Sequence, residues 1–100
     1  MESIFPAVVQ ALAGENFTVY AYMSDGTVRL YDVKALIEKG GIFERLRDET
    51  FFRERLTVLN DTVAWDISGK MNPADCIDID PFTIDESPVV YDPLMVSREV

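Results

Sequence analysis

A chain of 100 residues, 48% hydrophobic and 27% charged, has the size and composition of one soluble domain and no room for a second core. It carries 18 acidic and 9 basic residues, a net charge of −9, and no histidine. The charge argues against direct nucleic-acid binding, and the missing imidazole removes Ser–His and Cys–His nucleophiles, histidine bases and histidine-ligated metals.

No apolar run approaches the roughly 20 residues of a membrane span. The N-terminal stretch MESIFPAVVQALAG has Glu2 where a secretion signal would carry basic residues, and Pro6 and Gln10 interrupt its apolar run. The single cysteine, Cys76, has no partner for an internal disulfide, so a reducing cytoplasm is the expected compartment.

In chain order, the first clear element is FTVYAYMSDGTVRLYDV, residues 17–33. Two runs of β-branched and aromatic residues flank Asp25-Gly26, which suits a tight hairpin turn. A two-residue loop would place Tyr22 opposite Arg29 and Tyr20 opposite Tyr31. Phe17, Val19, Ala21, Met23, Val28 and Leu30 would then face the core. Thr18, Tyr20, Tyr22, Arg29, Tyr31 and Val33 would share the other face.

DVKALIEKGG predicts a short helix from about Val33 to Lys39, capped by Asp32, stopped by Gly40, and burying Leu36 and Ile37. In GIFERLRDETFFRERL, Ile42, Phe43 and Leu46 have one-turn spacing, and Asp48 caps a second helix holding Phe51 and Phe52. LTVLNDTVAWDI, residues 56–67, is a second hairpin about Asn60-Asp61; Val58 meets Val63, Leu56 meets Trp65, and Ile67 is the next inward position. DCIDID is a final strand with Asp75, Ile77 and Ile79 on one face and Cys76, Asp78 and Asp80 on the other. Beyond it, Pro81, Pro88 and Pro93 mark a tail, with a strand at most near residues 89–91. The fold class is therefore α+β: antiparallel hairpins at about 17–33 and 56–67, a strand near 75–80, and two or three short helices packed on them. The domain spans residues 1–81 and a C-terminal extension spans 82–100.

Three carboxylates in DCIDIDP raise the question of a metal or acid–base site. Asp78 and Asp80 would stand about 7 Å apart along one strand face, too far to share a proton or to chelate an ion unaided. The glycine-bent loop of a calcium site is missing from the sequence. A solvated face is the simpler reading. Arg45, Arg47, Arg53 and Arg55, interleaved with Glu44, Asp48, Glu49 and Glu54, read as an exposed, ion-paired helical face. Tyr20, Tyr22, Arg29 and Tyr31 are of the types in which binding energy concentrates, and form the best candidate surface.

FTVYAYMSDGTVRLYDV, GGIFERLRDETFF, LTVLNDTVAWDISG and DCIDIDP, in this order, resemble the DUF2442 family of small bacterial domains. The resemblance covers about residues 5–81. It implies a compact α+β fold of hairpins on short helices, and associates the chain with antitoxin-like roles without supplying an activity, a cofactor or catalytic residues.

Net charge is −3 over residues 1–33, +1 over 34–56 and −7 over 57–100. The expected function is that of a non-enzymatic, cytoplasmic, acidic interaction module: an inhibitor or antitoxin-type regulator of a basic nucleic-acid-handling protein, in the manner of an anti-CRISPR decoy. Its expected partner-binding residues are Tyr20, Tyr22, Arg29, Tyr31, Asp78, Asp80, Asp85 and Glu86. No cofactor, metal, nucleic acid or membrane is expected as a partner; a second copy of the chain is. The alternatives are a structural homodimer joined through the tyrosine face, and a divalent-metal-binding protein or enzyme using Asp66, Asp75, Asp78 and Asp80.

Overall fold

The computed structural model describes residues 7–96, and expectations placed on 1–6 and 97–100 lie outside them. Two antiparallel sheets and four short helices make the fold α+β, as the hairpin patterns predict. The first sheet has the order β1 (Val8–Ala13), β2 (Thr18–Met23), β3 (Val28–Asp32) and β7 (Val89–Val90). The second has β4 (Leu56–Leu59), β5 (Thr62–Asp66) and β6 (Cys76–Asp78), with β5 buried along its whole length as its central strand. Among the described residues no helix is long and apolar enough to cross a membrane.

The first hairpin turns through three residues, and this moves its register by one. Met23 N–H donates to Thr27 O at 2.9 Å and Gly26 N–H to Met23 O at 3.0 Å, so Ser24, Asp25 and Gly26 form the loop. A two-residue turn of the expected kind would hold both Asp25 and Gly26 at positive φ. The longer turn puts only Gly26 there, at φ 92°, where glycine carries no steric cost. Asp25 Oδ1 then accepts from the Thr27 N–H at 2.9 Å and its hydroxyl at 2.6 Å.

The consequence is a correction to the tyrosine face. Tyr20 pairs with Leu30 and Tyr22 with Val28, while Val19 pairs with Tyr31 and Ala21 with Arg29. Paired residues share a side of the sheet, so Arg29 and Tyr31 go with the core-facing Val19 and Ala21. Val28 and Leu30, expected on the core side, go with the tyrosines, although Val28 is buried there at 6% exposure. Val33 follows Arg29 and Tyr31 inward and is fully buried.

Strand β1 was not expected from its alanine-rich sequence. It pairs with β2 and has a bulge between Val8 and Gln10 that leaves Val9 exposed. Gly14 then lets the chain pass Tyr20: a Cβ there would lie 2.9 Å from the ring and 2.5 Å from Thr18 Oγ1.

The second hairpin forms in the expected register, Leu56 opposite Trp65 and Val58 opposite Val63. Asn60 and Asp61, at φ 52° and 65°, make its two-residue turn. Helix α1 (Lys34–Lys39) begins where Asp32 accepts the Lys34 N–H at 2.9 Å and stops at Gly40, φ 79°. A 3-10 segment, Gly41–Arg47, follows. Its three-residue period aligns Phe43 with the buried Leu46 and turns Ile42, expected inside, out to 54% exposure. Asp48 caps α2 (Glu49–Glu54) by accepting from Thr50 and Phe51 N–H. Phe52 packs against Phe17 and Trp65, with ring centres 5.3 and 5.4 Å away, and its carbonyl satisfies the buried indole N–H at 3.0 Å.

Among the described residues, the segment after residue 80, expected as a tail, contributes to the core and to the first sheet. Asp80 caps α3 (Pro81–Asp85), with Pro81 at its first position, where a missing N–H costs nothing. Ile84 is fully buried in the same cluster as Val19, Phe52, Trp65 and Ile77. Strand β7 closes the edge of the first sheet beside β3, and α4 (Pro93–Val96) follows.

Candidate functional site

The expected tyrosine–arginine surface is divided between the two sides of the first sheet. Tyr20 and Tyr22 stand on the side away from the core. The Tyr22 hydroxyl donates to Asp92 Oδ1 at 2.7 Å, and the same oxygen accepts the Leu94 N–H at 2.8 Å. Burial, then the Asp92 hydrogen bond and charge, pushes the Tyr22 phenol up to about 12. Tyr31 packs against the core, and its phenol is raised by burial first and by Asp32 second.

Arg29 is an internal fastener. Its Nη1 donates to the carbonyls of Asp85 and Ser87, both at 2.8 Å, and Nη2 lies 4.0 Å from Asp85 Oδ1. One guanidinium thus binds the C-terminal end of α3 and the lead into β7. Its Nε is buried with no hydrogen-bond partner among the described residues.

The carboxylates have separate local tasks. Asp78 is exposed on β6, whose three residues are shorter than the expected strand. Asp80 accepts the Phe82 N–H at 2.9 Å as the cap of α3. Asp75 belongs to a 3-10 turn, Pro73–Asp75. Asp66, only 7% exposed, accepts from Gly69 N–H at 3.1 Å and Met71 N–H at 3.0 Å, and so holds the Ser68–Met71 loop. Asp85 faces Arg29, and Glu86 is exposed at the end of α3. Among the described residues no three Cys, Asp or Glu side chains converge as a metal site would require. Burial, then the charges of Asp78, Asp66 and Asp75, raises the Cys76 thiol, which keeps it protonated and poorly nucleophilic.

One stretch of the chain combines acidic charge with apolar side chains that the structure leaves exposed. Between Lys70 and Arg98 the sequence has six carboxylates and no cation. In the same region Phe82, Val89, Tyr91 and Leu94 are each more than half exposed, and they account for four of the seven exposed large hydrophobic residues among the described ones. Among the described residues, Asp85 is the only one of those six carboxylates within 4.0 Å of a cationic nitrogen. Such a segment can present negative charge with aromatic and aliphatic contacts to a cationic partner. Sequence reading missed Phe82, Tyr91 and Leu94, and the prolines between them were the reason, since they read as breaks rather than as the corners of a packed segment. Comparison of the chain with protein-family models, with curated proteins and with solved structures finds no match.

Proposed function

We propose that this chain is a non-enzymatic interaction module that binds a basic protein through the acidic segment from the 3-10 turn Pro73–Asp75 to the start of α4. The observation that carries the reading is the coincidence in that segment of six carboxylates, no cation and four exposed large hydrophobic residues. Aromatic and aliphatic residues supply contact area, and the unneutralised carboxylates supply attraction and orientation. A nucleic-acid-handling protein, whose cationic surface would otherwise meet phosphates, is the class of target such a surface fits. The chain would act on it as a cytoplasmic inhibitor or antitoxin-type regulator. Membership of the DUF2442 family, read from the motifs, is part of this proposal and brings no activity with it.

Capture of partners from the native host, washed at about 50 and then about 200 mM salt, tests the reading. Proteins with a basic excess should be held at the lower salt and largely released at the higher. Partners that are acidic, or whose retention ignores salt, would overturn it.

A further inference from the structure

A trough of about 540 Å³ opens between β3 and α3, lined in part by Leu30, Tyr31 and Pro88, with Asp32 from the strand and Glu86 from the end of the helix. Among the described residues, its ionisable lining groups are those two carboxylates and the Tyr31 phenol, and no cation lines it. The depression lined by Glu54, Arg55 and Asp66 is different, because it contains a guanidinium of its own and both Asp66 oxygens are already in use.

We propose that the trough between β3 and α3 seats a lysine or arginine side chain from an extended basic segment of a second protein. The inference rests on the basic-partner reading and gives it a location. Long cationic side chains carry an apolar stem and a charged head, and they bury the first while keeping the second near water or a counter-charge. The lining supplies Leu30, Tyr31 and Pro88 along the strand edge as apolar contacts for the stem, and Asp32 and Glu86 as counter-charges for the head. A tyrosine ring also attracts a cation placed over it. The fold already uses this chemistry beside the trough, where the Arg29 guanidinium binds the carbonyls of Asp85 and Ser87. Asp32 pairs at 3.0 Å with Lys34, whose Nζ also donates to Asn16 O at 3.0 Å; both side chains are exposed, at 58% and 41%, so the ion pair is weak and an incoming cation competes with it.

The test is titration of the isotope-labelled chain, followed by NMR, with a short end-blocked peptide of alternating arginine and threonine. A matched peptide with glutamine for arginine is the control. Amide shifts should concentrate at Leu30, Tyr31, Asp32 and Glu86 with the arginine peptide alone. Asp32→Asn with Glu86→Gln should weaken binding about five-fold, since two exposed charge contacts are lost. Glu44→Gln with Glu54→Gln, which removes the same charge from exposed positions outside the acidic segment, should weaken it by under about two-fold. Asparagine at 32 keeps the oxygen that accepts the Lys34 N–H, and Glu86→Lys alone should reproduce the loss without touching that bond. Equal losses from the two double variants, shifts scattered over all the carboxylates, or no shift at about millimolar peptide would each overturn the proposal. If the trough fails while partner capture stays salt-sensitive, the basic-partner reading stands and only its location is wrong. If capture itself fails, that reading falls whatever the peptide does.

Discussion

Tyr22 and Asp92 are 70 positions apart in sequence and meet at one oxygen that also begins α4. Their contact makes a pH prediction. The folded phenol titrates at about 12, above its ordinary value of 10.0, so folding favours the protonated form. The stability it contributes is complete below pH 10 and is lost as pH rises through 12. Of the four tyrosines, Tyr22 should ionise near 12 in an absorbance titration. Tyr22→Phe should remove that step and cost about 1 kcal/mol in urea denaturation at neutral pH, the usual net value of such a hydrogen bond. Asp48 has a comparable local role. Asp48→Ala exposes the Thr50 and Phe51 N–H groups at the start of α2 and should cost about 1 kcal/mol, while Asp48→Asn should cost less. The Asp48 cap was legible in the sequence because a cap depends only on neighbours one to three positions away; Asp32 accepts the Lys34 N–H, but the position before α1 is Val33 and no side chain caps that helix. The bond from Tyr22 to Asp92 depends on the whole fold and left no local trace.

The two hairpins show what decides register. In the second, Leu56, Val58, Val63, Trp65 and Ile67 demand one side of the strand pair, and the Asn60-Asp61 turn delivers that pairing. Pattern and turn length agree, so the sequence specifies the result. Asp61 nevertheless pays a steric cost at φ 65°. Asp61→Gly should raise stability by a few tenths of a kcal/mol, measured by thermal melting, since glycine is the preferred second residue of such a turn. In the first hairpin both sides of β2 and β3 are apolar or aromatic, so hydrophobic pattern does not choose between the registers. The loop chooses, through the conformations open to Asp25 and Gly26. That is why Val19, Ala21 and Met23 were read correctly and Val28, Arg29, Leu30, Tyr31 and Val33 were placed on the wrong side. Ile42 was misplaced for a related reason: α-helical spacing was assumed where the chain winds more tightly.

At the scale of the molecule, the acidic segment and the core are one structure. Ile84 is fully buried, and Arg29 ties the backbone around it to β3. Ile84→Ala should cost about 3 kcal/mol, within the range for removing most of a buried aliphatic side chain. Arg29→Lys keeps the charge but loses the paired donation to two carbonyls. It should leave the second hairpin's hydrogen-exchange protection near wild type while lowering protection at Val89 and Val90, because those residues depend on the fastener to stay beside β3. Equal loss of protection in both sheets would show that Arg29 acts on global stability alone. The sequence showed the acidity of this region plainly. It did not show that the region was folded, because Pro81, Pro88 and Pro93 resemble punctuation until their positions at a helix start and beside an edge strand are known.

The loop of Ser24, Asp25 and Gly26 has a wider consequence. Deleting a single residue there would do more than shorten an exposed tip: it would turn β3 over, bringing a guanidinium and a phenol to the outside and sending Leu30 within. The end of α3 would then have no cation to grip it. Length variation at a surface bend is usually harmless, but in this chain the bend acts as a selector, and the attachment of the entire acidic arm follows from which way it is set.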